Sequence, residues 1–237
     1  LVSDGKIGWR TAHLTGDHDT GIDSPRSYTC AVNVNGTDKI INRVTFSGES
    51  GLSGKGWEIT SGFQSKHASQ QSTVNGQVGD MLSDGMRFGG NPQKIKLTGL
   101  TIGKKYVFTL YSQAWGTETA REALITNSDS LRHITVNQNS YTSSTNDGIL
   151  VECTYIASST TTEFTISPMT SSTWHLYAFS NYETSSLFTL NKNGHLRLEK
   201  TFDYETDEHS FPLTVKVTDD HNISLIKEFT LSLNNEI

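Results

Sequence analysis

The chain of 237 residues is 34% hydrophobic and only 19% charged, and its 19 basic against 25 acidic side chains give a formal net charge of −6. That balance argues against nucleic acid, which calls for a basic stripe, and no apolar run approaches the roughly 18 residues of a membrane span. Scarce charge and abundant Gly, Ser, Thr and Asn suit short strands joined by turns, not long helices.

The opening, LVSDGKIGWR, has neither the charged head nor the apolar middle of a signal peptide. The chain reads as a fragment of a longer one, any export signal lying outside it. Period-2 alternation then recurs. YTCAVNV (28–34) puts Tyr28, Cys30, Val32 and Val34 on one face, and NRVTFS (42–47) and WEIT (57–60) follow. QKIKLTGL (93–100) runs through Thr101, Ile102 and Gly103 into KKYVFTLYS (104–112). This predicts a hairpin with Leu97, Tyr106, Phe108 and Leu110 in the core. Next come EALIT (122–126), HITV (133–136) and GILVECTYIA (148–157), the last with Ile149, Val151, Cys153 and Tyr155 on one face. EFTISP (163–168) and TWHLYAFSN (173–181) predict a second pair. In the latter, His175, Tyr177 and Phe179 oppose Trp174, Leu176 and Ala178, and one set is core. About eight short strands at this spacing predict an all-β, jelly-roll-like β-sandwich over residues 11–182.

From residue 183 charged residues become more frequent. LFTLNKNGHLRLEK (187–200) reads as a hairpin around Asn193-Gly194. SFPLTVKVTDD (210–220) and LIKEFTLSLN (225–234) alternate as strands. Four strands are short of core, so this tail needs an extra strand from elsewhere.

Cys30 and Cys153 are the only cysteines, and their spacing excludes a CxxC redox or zinc motif. Both point inward, as two buried free thiols or as a disulfide between neighbouring strands. The eight histidines are scattered, with no HExxH or related zinc pattern.

GDHDTGID (16–23) packs Asp17, Asp19 and Asp23 into eight residues. Alternate acids with a glycine for the bend suit calcium, which takes six to eight oxygens. A solvated turn is the plain alternative. GDMLSDG (79–85) offers Asp80 and Asp84 in the same sense.

Two resemblances follow. FTLNKNGHLRLEKTFDYETDEHSFPLTVKVTDD (188–220) resembles a cadherin repeat in the order of its parts, with FDYE (202–205) matching that family's Leu-Asp-Arg-Glu element. The resemblance implies calcium at Asp203 and Glu205, and more weakly at Asp219. The tail is too short for a whole repeat. The sandwich therefore looks inserted into a split cadherin/Ig-like domain made of 183–237, with a possible contribution from 1–10. The stretches WRTAHLTGDHDTGID, SYTCAVNVNG, LSDGMRFGGNPQKIKLTGLTIGKKYVFTLYSQAW and TWHLYAFSNYE resemble the peptide-binding domain of large bacterial RTX adhesins. This implies a calcium-dependent extracellular module on a bacterial surface, a monomer within its larger chain. It would hold the free C-terminal carboxylate of peptides on a host or neighbouring cell.

That resemblance points to loops at one end of the sandwich. MRFGGNPQ supplies Arg87 and Asn91, SQAWGTETAR supplies Gln113, Trp115 and Arg121, and VNQNSYTSSTND supplies Gln138 and Asn139. A tryptophan flanked by amides and an arginine serves a peptide or a sugar, stacking an apolar face while polar groups fix orientation. Trp57 and Trp174 read instead as core.

Three functions remain in view. The first is the binding module, for peptide termini or else for carbohydrate. The second is a glycan-active enzyme, which needs two carboxylates across a cleft and has only Glu58 and Glu152 to offer. The third is a calcium-stiffened spacer without ligand. No catalytic signature is present, and the chain reads as a non-enzyme.

Overall fold

The structure is a computed structural model. It describes residues 7–24, 26–115, 120–139, 148–169, 173–184, 188–190, 195–198, 203–205, 209–218 and 224–235. The first strands are β1 (Gly8–Leu14), β2 (Ser27–Val34), β3 (Lys39–Ile41), β4 (Val44–Glu49), β5 (Ser53–Gly54), β6 (Trp57–Ser61) and β7 (Ser65–Ala68). Helix α1 (Gly76–Asp84) leads directly into β8 (Gly85–Phe88) and β9 (Gln93–Thr98). Then come β10 (Lys105–Gln113), β11 (Glu122–Asn127), β12 (Ser130–Asn137), β13 (Gly148–Ile156), β14 (Thr161–Pro168) and β15 (Ala178–Glu183). The tail holds β16 (Phe188–Leu190), β17 (Leu196–Leu198), β18 (Ser210–Thr218) and β19 (Ser224–Ser232).

The chain divides into two compact units, Leu1–Ser185 and Ser186–Ile237. The first is a β-sandwich. One sheet has seven strands in the order β1-β13-β10-β15-β2-β4-β3, and the other has six in the order β12-β11-β14-β9-β6-β5. Their inner faces meet in one core. Cys30, Val32 and Val34 alternate inward from β2, and Ile149, Val151, Cys153 and Tyr155 from β13. Phe108 of one sheet stacks on Phe164 of the other at 3.9 Å between ring centroids. Trp57 meets Phe179 edge-on at 5.5 Å. Trp57 and Trp174 are both core residues. Each such large ring taken from water contributes about 1.5–3 kcal/mol.

The alternation located most of the longer strands but not their partners, and of the stretch 173–181 only the part from Ala178 is strand. The segments 93–98 and 105–113 are not a hairpin: β9 pairs with β14 and β6, whereas β10 pairs with β13 and β15. The chain arches from one sheet to the other through Gly103 at φ 81°. The pair 163–168 and 173–181 is an arch of the same kind. Residues 8–10 pair within the sandwich, with Trp9 opposite Cys153 and Arg10 opposite Glu152. Tyr28 departs from its expected face: a register shift next to Tyr182 turns it to a second cluster outside the sheet, with Phe46, Met81 and Tyr111. Cys30 and Cys153 are buried free thiols, separated by β10 and β15.

The stretch 79–85 is not a loop but most of α1. Val78, Met81 and Leu82 face inward at helical spacing and cover the outer side of the seven-stranded sheet together with Leu14, Ile41 and Phe46. In the second unit, β16 pairs with β17 and β18 with β19, both antiparallel.

Candidate functional site

The acidic loop was the strongest sequence signal for a metal, and the structure gives its carboxylates other work. Asp17 caps α1 from across the fold: its Oδ1 accepts the Val78 amide at 2.8 Å and its Oδ2 the Gln77 amide at 3.1 Å. A carboxylate there satisfies helix amides that lack an intrahelical acceptor and meets the positive end of the helix dipole. It also explains Gly76, at φ 78°, where a Cβ would lie 2.6 Å from the Asp17 carboxylate. Asp19 turns back on its own loop and accepts from the Thr15 amide at 2.9 Å, the Thr15 hydroxyl at 2.6 Å and the Gly16 amide at 3.2 Å. Asp84 accepts from Asn33, from the Thr37 amide and hydroxyl, and from Lys39 Nζ at 3.2 Å. Asp23 and Asp80 are exposed, Asp80 accepting from Gln77.

Carboxylates met by N–H and O–H donors in this way do not form a calcium shell. Among the described residues, no group of three or more His, Cys, Asp or Glu is placed to hold a metal. Calcium at the sandwich acids therefore has the sequence pattern in its favour and no such grouping among the described residues. In the tail, Asp203 Oδ1 accepts the Glu205 amide at 3.0 Å, and both residues are exposed. Asp219 lies outside the described residues.

Three of the ligand candidates serve as internal supports. Arg87 is buried, and its guanidinium donates to the carbonyls of Phe63, Gln64 and Ser50. Gln113 is buried and holds Ser69 Oγ and the Gln70 carbonyl, both at 3.0 Å. Gln138 Nε2 donates to the His175 carbonyl at 2.9 Å while its Oε1 accepts the His175 amide at 3.1 Å. Asn139 positions a candidate: its Oδ1 accepts the Trp115 amide at 3.2 Å. Asn91 is exposed and donates to the Pro168 carbonyl.

Trp115 and Arg121 do come together, at an open hollow of about 330 Å³ lined also by His67, Met86, Phe88, Thr173 and His175. The hollow is walled by ring edges. Trp115 and His175 meet at 5.1 Å and 85°, His67 and Trp115 at 5.6 Å and 88°, and Phe88 and His175 at 5.9 Å. Arg121 Nη1 donates to the Thr173 carbonyl at 2.8 Å and lies 3.4 Å from His175 Nε2. The β7–β8 ribbon carries His67 opposite Met86. Gly89 permits this path, because a Cβ there would collide with the Gly62 carbonyl.

His175 is 4% exposed. Burial, then the Arg121 charge, then His67 push its pKa down to about 3, so the ring is neutral at ordinary pH. An arginine only donates, so Nε2 faces it as the acceptor and the proton of the neutral ring sits on Nδ1. Nδ1 is buried with no hydrogen-bond partner. The arrangement offers an apolar, edge-rich wall beside one cation and an uncharged imidazole.

His67, Met86, Phe88 and Thr173 escaped the sequence reading, and His175 was noticed only for its strand alternation. No local motif marks them. Their meeting depends on α1 returning the chain to β8.

No protein-family model matches the sequence, and no curated protein matches it. Solved structures do. The extracellular domain of ANXUR1 from Arabidopsis thaliana aligns with a TM-score of 0.52 at 11% identity, over 76% of this chain and 55% of that one. The ectodomain of ANX2 from the same plant aligns with a TM-score of 0.51 at 9% identity, over 68% and 50%. The likeness is one of fold alone. A calcium-binding mutant of β-glucuronidase 2 from Bacteroides uniformis aligns with a TM-score of 0.52 at 12% identity, over 73% of this chain and 19% of that one. The chain thus spans about half the length of each plant ectodomain. Both of these neighbours are extracellular domains. Among the described residues no helix is long and apolar enough to cross a membrane.

Proposed function

We propose that this chain is the ligand-binding module of a bacterial surface adhesin, and that its hollow receives the C-terminal end of a peptide on a host or neighbouring cell. One observation carries the reading: the Arg121 guanidinium borders a hollow walled by Trp115, Phe88, Met86 and a neutral His175, with His67 and Thr173 completing the lining. A carboxylate pairs with arginine through charge-assisted hydrogen bonds, strongest where water is excluded. The apolar side chain of a terminal residue then packs on the ring edges. Catalysis on glycans has less support. It needs paired carboxylates across a cleft, whereas Glu58 lies on β6 and Glu152 on β13, in different sheets, with Glu152 engaged by Arg10 in two contacts of 2.7 Å. Calcium in this reading acts in the tail, through Asp203, Glu205 and Asp219, and not at the hollow.

Isothermal titration with an acetylated tetrapeptide ending in leucine, its C-terminal amide, and a glycan panel tests the reading. The free acid is expected to bind and the amide to bind at least tenfold more weakly. Arg121→Gln is expected to lose about tenfold to a hundredfold, the range for a hydrogen bond to a charged group. Chelation is expected to leave the hollow's affinity unchanged while lowering the melting temperature of the tail. Equal binding of acid and amide overturns the peptide reading, and binding of glycans alone replaces it with the carbohydrate one.

A further inference from the structure

We infer that His175 is the second anchor of the ligand's carboxylate, and that binding draws one proton from solvent onto its Nε2. This rests on the reading of the hollow as a carboxylate site and deepens it. In the ligand-free chain the ring is poorly satisfied at both nitrogens. Nε2 has only the long 3.4 Å approach of Arg121 Nη1, and Nδ1 has no partner at all. The Nδ1–H donor lies away from this contact, and Nε2, with its single long approach, is the nitrogen that a carboxylate beside Arg121 can reach. A carboxylate seated against Arg121 stands beside Nε2. Arg121 donates to one of its oxygens. Nε2 takes a proton, forming an N–H bond that donates to the other oxygen, and the ring becomes an imidazolium paired with the incoming negative charge.

The groups facing His175 settle the sign. Arg121 approaches from the segment entering β11 and His67 from β7, and both disfavour a charged ring. The β8 wall contributes Met86 and Phe88, which carry no charge. Tyr177, on the same segment, is buried and its pKa is raised, so it stays neutral. None of these described groups carries a negative charge, and a bound carboxylate brings one to the ring. The free ring is neutral down to about pH 3, and a carboxylate in contact raises its pKa in the complex. Affinity then increases as pH falls from 7 towards 5, by up to tenfold per unit below the pKa of the complex. It declines again only near pH 4, where the peptide's own carboxyl protonates.

Titrations of the acetylated leucine tetrapeptide at pH 7 and pH 5, each in two buffers of different ionisation enthalpy, count the protons taken up. Uptake approaching one proton at pH 5 is expected for the wild-type chain and for His67→Gln. His175→Gln, which keeps a neutral donor, is expected to bind with no uptake and a flat profile between these pH values. Binding without uptake in the wild-type chain overturns the inference and leaves the peptide site standing. So does uptake that survives His175→Gln or vanishes in His67→Gln. No binding in any buffer overturns the site itself and the inference with it.

Discussion

Gln138 holds the backbone of His175 from both sides, its amide nitrogen donating to the carbonyl at 2.9 Å and its oxygen accepting from the amide at 3.1 Å. The residue that follows β12 thereby fixes a residue three positions before β15, and with it a ring that lines the hollow. Gln138→Leu leaves two buried backbone groups without partners, each costing about 1–3 kcal/mol. The urea midpoint is expected to fall by an amount equivalent to about 2–6 kcal/mol, and peptide affinity is expected to fall with it.

Asp17 acts as the missing cap of α1, a helix whose own N-cap residue, Asn75, makes no side-chain capping bond. Asp17→Ala is expected to cost about 0.5–2 kcal/mol, the usual range for a lost cap. Asp17→Asn, which retains an acceptor, is expected to cost less. Thermal melts of both variants and of the wild-type sandwich are expected to be the same with calcium and with EDTA. A calcium-dependent shift that Asp17→Asn abolishes would restore the metal reading of this loop.

Asp84 gives the fold an acid limit. Its partial burial raises the carboxyl pKa, but the amide and hydroxyl of Thr37 and the Lys39 ammonium outweigh that and hold it below the ordinary value of 3.8. A group whose folded pKa is depressed stabilises fully above its unfolded pKa and loses that contribution as pH falls through the folded one. The difference in urea midpoint between the wild-type chain and Asp84→Asn is therefore expected to be constant from pH 7 to about pH 5 and to shrink below about pH 4. A difference that grows on acidification would contradict the assignment.

Phe164 joins the two sheets. It stacks on Phe108 and meets Trp9 and Tyr155 edge-on at 6.0 and 5.7 Å. Phe164→Ala is expected to destabilise by about 3–5 kcal/mol through lost burial and the cavity left behind. Chemical denaturation checks it, and a cost below about 1 kcal/mol would mean that the core closes over the gap.

The thiols of Cys30 and Cys153 are silent in the folded chain. Burial pushes Cys30 up to about 12 and Cys153 higher still. The thiolate is the reactive species, so neither is expected to react with a disulfide reagent until the sandwich opens. Labelling followed through a denaturant series is expected to track the unfolding transition, with both thiols titrating in the unreduced protein.

What the sequence determined by itself is most of the longer strands of the sandwich and the faces they turn inward. Side chains alternate across any extended backbone, so Val32, Phe108, Val151 and Phe164 reveal their side wherever the strand ends up. Alternation is blind to partnership. The segments 93–98 and 105–113 present the same pattern whether joined as a hairpin or as an arch between sheets, and only packing the two sheets together chose the arch. Helix α1 was obscured because it is short and capped by an aspartate about sixty residues earlier in the chain. The acids of 16–23 looked like a metal shell because closeness in sequence stands in for closeness in space. Tertiary structure turns amide and hydroxyl donors onto two of them, Asp17 and Asp19, and leaves Asp23 exposed. The hollow was half legible: Trp115 and Arg121 announce themselves by type, whereas His67, Phe88 and His175 become a site only when distant segments fold onto one end of the sandwich.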